Sequence, residues 1–333
     1  MEQTLRWVNT DSTIRAKLFD KFNDRLEGFD IYHCFGLSPD NAGIVKLAKN
    51  KGLNYVCSPV YWEPWELSRH TQSWTRRLMS RAVHAVARNF RSYEWMHSVA
   101  PGQFLLDSAD SILPNSLAEV DSLKRNFIID NRKVRVIPNG VEPTFSDGNE
   151  IEFKSRYGYE DFILYVGRIE PRKNLVRLAE AADALGMELV LIGSSAGNDA
   201  YLERCVSRNR GRTHHIGTID HKSSMLKSAY KSASVFVLPS WFETPGISAM
   251  EAAVSGCPVV VTSRGSTREY FGEYVEYCDP ASVSSICAAI ENASTKENVG
   301  KLRDSILDNY SWQRIGEMIV NTYKGLNRRG TCR

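Results

Sequence analysis

Short apolar runs alternate with amphipathic stretches of helix length from about Asp30 to the end of the chain. This alternation is typical of βαβ units, in which parallel strands are joined by helices. In the first half it predicts strands at 30–36, 53–57, 111–113 and 134–137 and a helix at 42–50. It also predicts a helix at 11–29, because Ile14, Leu18, Phe22 and Leu26 are spaced four residues apart. In the second half it predicts six strands, at 162–166, 188–192, 214–216, 235–238, 258–261 and 275–278. We therefore expect two doubly wound α/β halves, with ligands bound at the carboxyl ends of the strands.

Composition narrows the classes of partner. The 42 Lys and Arg against 39 Asp and Glu give a net charge of +3, too mild to indicate a nucleic-acid partner. The apolar runs are strand-sized, well short of the roughly 18 residues of a membrane span. The seven cysteines include no C-x-x-C pair, which argues against a disulfide framework and a zinc site and suits a reducing compartment. We expect a cytoplasmic protein with no bound metal.

Two turns that follow predicted strands carry candidate chemistry. The first has Gly167 beside a basic cluster of Arg168, Arg172 and Lys173, although such a run is also typical of a solvated loop. The second lies at 239–251 and contains Glu243, a helix start at Gly246 and Ile247, and Glu251 eight residues after Glu243. Free N–H groups at a helix start bind anions. Neither the G-x-G-x-x-G fingerprint nor the G-x-x-x-x-G-K-[ST] loop occurs, which disfavours an NAD-dependent oxidoreductase and a P-loop enzyme.

Cations and helix amides suit a diphosphate, whereas carboxylates suit the hydroxyl groups of a ribose or sugar. The combination indicates a nucleotide sugar.

Four motifs in the same order resemble the family 4 glycosyltransferases of the GT-B fold over about residues 105–326. They are Val136-Ile-Pro-Asn-Gly-Val-Glu142, Gly167-Arg-Ile-Glu-Pro-Arg-Lys-Asn174, the pair Glu243 and Glu251 within an E-x₇-E element, and Tyr310-Ser-Trp312. The resemblance implies an α/β protein with two Rossmann-like domains that face each other across a cleft. It also implies a retaining transferase that moves a hexose from a nucleotide sugar to a glycan without a cofactor or metal.

Site roles follow from the resemblance position by position. Gly167, Arg168 and Lys173 would contact the donor diphosphate together with the amides of Gly246 and Ile247. Glu243 would contact the transferred sugar, Glu251 the ribose hydroxyls, and Ile219 the nucleobase. The catalytic set would be Glu243, Arg168 and Lys173.

The domain boundaries are predicted at 1–143 for a shortened N-terminal domain, 144–160 for a linker, 161–309 for the nucleotide-sugar domain, and 310–333 for a helix that returns to the N-terminal domain. The N-terminal half is short for this family and lacks the glycine-rich turn that family members usually have, so we expect an incomplete sheet there. This leaves open an alternative, a catalytically impaired nucleotide-sugar-binding partner or a truncated remnant. His33 is a candidate contact in the cleft, although a lone histidine is more often a packed residue. Trp62 and Trp65 are candidate acceptor contacts, although core burial explains them at least as well.

A basic stretch at 74–95 bears on the acceptor. Arg77, Arg81, His84, Arg88 and Arg91 share one helical face, with tryptophans at both ends of the stretch. Such a helix can lie on an anionic membrane, which suits a lipid-linked acceptor and peripheral association with the inner face of the membrane. A solvated helix that packs its apolar side on the core is the equally supported alternative.

Overall fold

The computed structural model describes residues 1–62, 101–295 and 298–330, and it divides the chain into two compact units. Unit 1 comprises Met1–Gly140 and Trp312–Arg333, and unit 2 comprises Val141–Ser311. The basic stretch at 74–95 and Trp65 lie outside the described residues. No helix in the described part of the chain is long and apolar enough to cross a bilayer.

Unit 1 is built on a parallel sheet in the order β1-β2-β3. Its strands are β1 (Ile31–Phe35), β2 (Asn54–Ser58) and β3 (Ser111–Ile112), and its helices are α1 (Glu2–Val8), α2 (Ala42–Asn50), α3 (Pro101–Ser108), α4 (Leu117–Asn126) and α13 (Trp312–Gly330). Short 3₁₀ turns occur at Pro39–Asn41 and Asn131–Lys133. Helix α13 follows unit 2 in sequence but packs in unit 1, where Ile315 and Ile319 join a buried cluster with Val8.

Two predictions for unit 1 are wrong. Residues 11–29 form turns rather than a helix, because the side chains of Asp11 and Asp20 accept hydrogen bonds from the backbone N–H groups two residues ahead, at 2.9 Å each. These local bonds compete with helix formation. The predicted strand at 134–137 makes a single bridge from Val134 to Ile112. Arg135 and Ile137 donate to the β3 edge, but Pro114 has no N–H to donate back, so the ladder stops.

Unit 2 contains a six-stranded parallel sheet in the order β6-β5-β4-β7-β8-β9, the order of a doubly wound dinucleotide-binding fold. The six predicted strands are confirmed as β4 (Phe162–Val166), β5 (Glu188–Ile192), β6 (Thr213–Gly217), β7 (Val235–Leu238), β8 (Val259–Thr262) and β9 (Glu276–Cys278). Strands β4, β7 and β8 are apolar at nearly every position because helices cover both faces of the sheet.

The helices of unit 2 are α5 (Glu150–Tyr157), α6 (Leu175–Leu185), α7 (Asp199–Val206), α8 (Ser224–Ser232), α9 (Ile247–Val254), α10 (Thr267–Phe271), α11 (Val283–Ser294) and α12 (Val299–Tyr310). Further 3₁₀ turns lie at Pro143–Asp147, Pro171–Lys173 and Ser207–Asn209.

The stretch predicted as a linker, 144–160, is packed into unit 2. Its turn-forming residues cap a helix: the Asn149 side chain accepts from Ile151 N–H at the start of α5, and Gly158 ends α5 in the left-handed conformation. Phe153 of α5 is fully buried, and its N–H donates to Ser228 Oγ at 2.8 Å. The composition of this segment reflects helix ends rather than an extended connection.

Candidate active site

The candidate site lies in unit 2, at the carboxyl ends of β4 and β7. The chain leaves β4 toward β5 and leaves β7 toward β8, on opposite sides of the sheet, so the two following loops separate at this point. Ligands of doubly wound sheets bind at such a switch point. Both turns singled out in the sequence, 167–174 and 239–246, are these two loops.

Close backbone contact shapes the loop after β4. Gly167 N–H donates to Ile192 O at 2.9 Å, and the hydroxyl of Tyr165 donates to Arg168 O at 2.8 Å. The adjacent Gly193 has φ +143°, and a Cβ there would lie 1.9 Å from Gly167 O. This approach requires glycine at 193 and holds the first turn against the end of β5.

Lys173 and Glu243 are brought into direct contact, with Lys173 Nζ 2.8 Å from Glu243 Oε2. Ser240 Oγ donates to the same oxygen at 2.7 Å, and Arg172 Nη1 lies 3.8 Å from Oε1. Glu243 is 6% exposed and Lys173 is 9% exposed. The site therefore contains a nearly buried carboxylate next to a nearly buried ammonium group.

Burial and charge act in opposite directions on this pair. Burial works to raise the pKa of Glu243, but the charges of Lys173 and Arg172 outweigh it and hold the pKa below its usual value. For Lys173, burial is the largest influence and lowers the pKa, while Glu243 opposes that shift. Each charged group therefore depends on its partner to remain ionised in this environment.

A third loop fixes the backbone of Glu243. Its N–H donates to Arg264 O at 3.3 Å, and Ser266 N–H donates to its carbonyl at 3.0 Å. Gly265, at φ +98°, allows this contact, since a Cβ there would lie 2.1 Å from Glu243 O. The loops after β4 and β8 thus both contact Glu243 in the loop after β7, the first at its carboxylate and the second at its backbone.

Helix α9 begins beside this carboxylate. Gly246, at φ +85°, is its N-cap residue and has no side chain to cap the first turn. A Cβ on Gly246 would lie 3.1 Å from Glu243 Cγ, which shows how near the helix start is to Glu243. The N–H groups of Gly246 and Ile247 are thus placed where an anion would be bound.

Glu251 lies on the second turn of α9 and is 4% exposed. Tyr230 donates its hydroxyl hydrogen to Glu251 Oε2 at 2.7 Å, and His221 Nε2 lies 2.7 Å from Oε1. Burial, followed by the charge of Glu251, raises the pKa of Tyr230 well above its usual value. Tyr230 therefore remains a hydrogen donor across the physiological pH range.

Two further predicted residues, Arg168 and Ile219, lie in the loops after β4 and β6. The Arg168 side chain is 70% exposed, with Nη2 3.7 Å from Glu170 Oε1. Ile219 is partly buried against the core of unit 2, in the loop that follows β6. Among the described residues, no group of three or more His, Cys, Asp or Glu side chains is placed to hold a metal ion. Metal-independent chemistry stays a prediction.

Sequence reasoning missed three side chains that hold the two glutamates, namely Ser240, His221 and Tyr230. Ser240 and His221 follow the carboxyl ends of β7 and β6, where site residues concentrate, and that position was an available signal. Tyr230 lies within α8, and the sequence pattern there predicts only an ordinary core residue.

Each of the two units matches a known glycosyltransferase family model. Residues 147–310 match the family described as glycosyl transferases group 1, and residues 6–145 match the family described as glycosyltransferase family 4. An uncharacterised glycosyltransferase of Methanocaldococcus jannaschii is 29% identical over 74% of this chain and 64% of its own length. The O-antigen chain mannosyltransferase B of Escherichia coli is 29% identical over 51% of this chain and 48% of its own length. The chain thus spans less than two thirds of these relatives.

Solved structures share the fold. Sucrose-phosphate synthase of Thermosynechococcus elongatus superposes with a TM-score of 0.72 at 19% identity, over 91% of this chain and 75% of that one. Anabaena HepE in complex with UDP and glucose gives a TM-score of 0.68 at 16% identity, over 89% of this chain and 78% of that one. The two family matches and this shared architecture show that the chain belongs to the family 4 glycosyltransferases of the GT-B fold.

Proposed function

We propose that this protein is an active glycosyltransferase that moves a hexose from a nucleotide sugar to a glycan acceptor. The observation that carries the proposal is the 2.8 Å contact between Lys173 and Glu243 beside the first turn of α9. In a nucleotide sugar an anionic phosphate is bonded directly to a ring that bears hydroxyl groups. A cation and a carboxylate in contact match that juxtaposition.

Each site residue has a role in this proposal. Lys173, Arg168 and the first amides of α9 bind the diphosphate, which departs as the sugar is transferred. Preorganised positive groups stabilise such developing negative charge and replace the metal ion that other transferases use. Glu243 accepts hydrogen bonds from hydroxyls of the transferred sugar, and Glu251 accepts from those of the ribose. Ile219 lies beside the nucleobase.

The stereochemistry we propose is retention at the anomeric carbon, as the family resemblance implies. NMR of the product checks it, because the one-bond coupling between C1 and H1 distinguishes the two anomeric configurations. An inverted product would contradict this part of the proposal and leave nucleotide-sugar binding unaffected.

Donor binding is the most direct test of the proposed function. A ligand that binds only the native state stabilises it, by about 2.7 kcal/mol at a hundredfold excess over Kd. Among UDP-, GDP- and dTDP-linked hexoses at millimolar concentration, we expect at least one to raise Tm by several degrees, without added metal. Inorganic pyrophosphate and NAD⁺ are the comparison ligands. Stabilisation by NAD⁺ alone would support the oxidoreductase alternative, and donor binding without transfer or hydrolysis would support an inactive binding partner.

For the acceptor we propose a lipid-linked glycan at the cytoplasmic face of a membrane, in the assembly of a surface polysaccharide or a lipopolysaccharide. Two facts support it: one relative is an O-antigen chain mannosyltransferase, and the sequence at 74–95 is rich in arginine with flanking tryptophans. Anionic lipid headgroups attract such a segment at about 1 kcal/mol per basic residue near the surface.

Liposome co-sedimentation tests this association. We expect the protein to pellet with vesicles that contain an anionic phospholipid and to remain in solution with neutral vesicles. Reversing the charges of Arg77, Arg81 and Arg88 should release it, whereas reversing Arg303 and Lys301, on the exposed surface of unit 2, should not. Unchanged binding by the first variant would exclude the 74–95 segment as the membrane contact.

A further inference from the structure

Two hydrogen-bond donors, one buried and one exposed, contact the two oxygens of the Glu251 carboxylate. Tyr230 is fully buried and donates to Oε2, whereas the His221 side chain is 55% exposed and lies 2.7 Å from Oε1. An ionised carboxylate only accepts, so His221 Nε2 carries the hydrogen of this bond. The two oxygens have about four acceptor sites, of which these donors occupy two. The hydrogen bonds from Tyr230 and His221 therefore leave about two acceptor sites of the carboxylate unfilled.

The imidazole of His221 is itself fixed in place. Its ring meets Phe145 edge to face, with centroids 5.3 Å apart. The carbonyl of Phe145 accepts from Ser255 Oγ at 3.0 Å, and Ser255 directly follows α9, the helix that carries Glu251. Phe145, on which the His221 ring packs, is thus anchored to the end of the helix that carries Glu251.

The groups around His221 favour its charged form. Glu251 faces His221 from α9, and the Tyr230 hydroxyl faces it from α8. Two more carboxylates are near: Asp220 lies in the same loop as His221, and Glu142 precedes the 3₁₀ turn at Pro143–Asp147. The hydrogen bond to Glu251 is the largest influence and raises the pKa of His221, burial opposes it, and the three carboxylates add to the rise. The raised pKa means that the imidazole of His221 keeps its proton to a higher pH than a free histidine does.

We propose that His221 is a positioning residue for recognition of the donor ribose: it orients Glu251 so that the free acceptor sites of the carboxylate meet the ribose hydroxyls, more firmly when the imidazole is protonated. The proposal rests on the ribose role of Glu251 in the proposed function. It adds a residue that touches no substrate atom and acts through Glu251. It also makes nucleotide affinity depend on pH at a point remote from the sugar that is transferred.

The expected effect is on binding rather than on turnover. Removing a hydrogen bond to a charged group weakens binding through that group by about tenfold. His221→Ala should therefore raise KM for the donor about tenfold and leave kcat within about twofold. His221→Gln keeps an N–H donor and should recover most of the affinity at pH 8.5. Between pH 6.5 and 8.5 the advantage of the wild type over His221→Gln should shrink as the imidazole loses its charge.

Calorimetry with UDP and GDP, and with their 2′-deoxy and 3′-deoxy forms, separates this role from a general structural one. If His221 acts through the ribose, the loss in His221→Ala should disappear for at least one deoxy nucleotide, because that ligand lacks the hydroxyl that Glu251 accepts from. The ratio of wild-type to variant affinity, taken with the same nucleotide at each pH, cancels the titration of the phosphate.

His214→Ala is the matched control. It breaks another histidine–glutamate pair, His214 with Glu188 at 2.5 Å, in β6 and β5 at the opposite end of the same sheet. We expect it to leave all nucleotide affinities unchanged. Equal losses for ribose and deoxyribose nucleotides, or no loss in His221→Ala, would overturn the positioning role alone. Failure of the wild type to bind any of UDP, GDP and dTDP at either pH would overturn the proposed function and this inference with it.

Discussion

Lys173→Met should lower kcat about a thousandfold, because an aligned cation that stabilises charge in the transition state contributes 10² to 10³ in rate. The same substitution leaves Glu243 buried without its nearest counter-charge. Breaking a buried pair costs about 3 to 5 kcal/mol. We expect about 3 kcal/mol here, since Ser240 and Arg172 remain near the carboxylate. Steady-state kinetics with the donor found by thermal shift and urea unfolding measure the two effects.

A second variant separates folding from chemistry. Lys173→Met combined with Glu243→Gln removes both charges, so it should regain most of the lost stability while remaining inactive. Lys154→Met is the surface control: Lys154 lies 3.6 Å from an exposed Glu160, and its loss should change stability by less than about 1 kcal/mol and leave activity intact. A Lys173→Met enzyme within tenfold of wild-type kcat would show that Lys173 does not stabilise the leaving diphosphate.

Gly193→Ala should destabilise unit 2 by about 3 kcal/mol or more and weaken donor binding. The added Cβ would lie 1.9 Å from Gly167 O, so the turn after β4 must move to admit it. Because that turn carries Arg168 and Lys173, the residues proposed to bind the diphosphate, its displacement should weaken donor binding. Urea unfolding followed by fluorescence measures the first effect, and donor titration measures the second.

Gly197→Ala provides the comparison within the same loop. Gly197 also has positive φ, +84°, but a Cβ there would meet nothing within 4 Å. It should cost only the backbone strain of about 1 to 2 kcal/mol and leave donor affinity unchanged. If both variants unfold at the same urea concentration, the close contact between the two turns does not limit stability.

The fold of unit 2 was predictable because its strands are buried on both faces. Continuous apolar runs such as Val235–Leu238 are identifiable without their neighbours. The helix predicted at 11–29 is not formed, although the apolar residues there have helical spacing. The side chains of Asp11 and Asp20 accept hydrogen bonds from nearby backbone N–H groups, which favours turns over a helix. Spacing alone does not reveal that competition.

The candidate site was predictable in position but not in its contacts. The residues Lys173 and Glu243 could be assigned to adjacent strand ends, which is a property of topology. That they touch each other, and that Tyr230 holds Glu251 from a separate helix, depends on side-chain packing between elements far apart in sequence. No periodicity or spacing encodes those distances.

The path of the chain through unit 2 bears on how the protein evolves. Val141 and Ser311, the first and last residues of unit 2, pair in a parallel bridge, and Val141 N–H donates to Tyr310 O at 2.8 Å. The entry and exit of the unit are therefore neighbours, an arrangement that favours domain insertion and exchange. All eight predicted site residues lie between these two points. Exchange of unit 2 at these two neighbouring ends would therefore replace all of the predicted site residues together and leave the sequence of unit 1 unchanged.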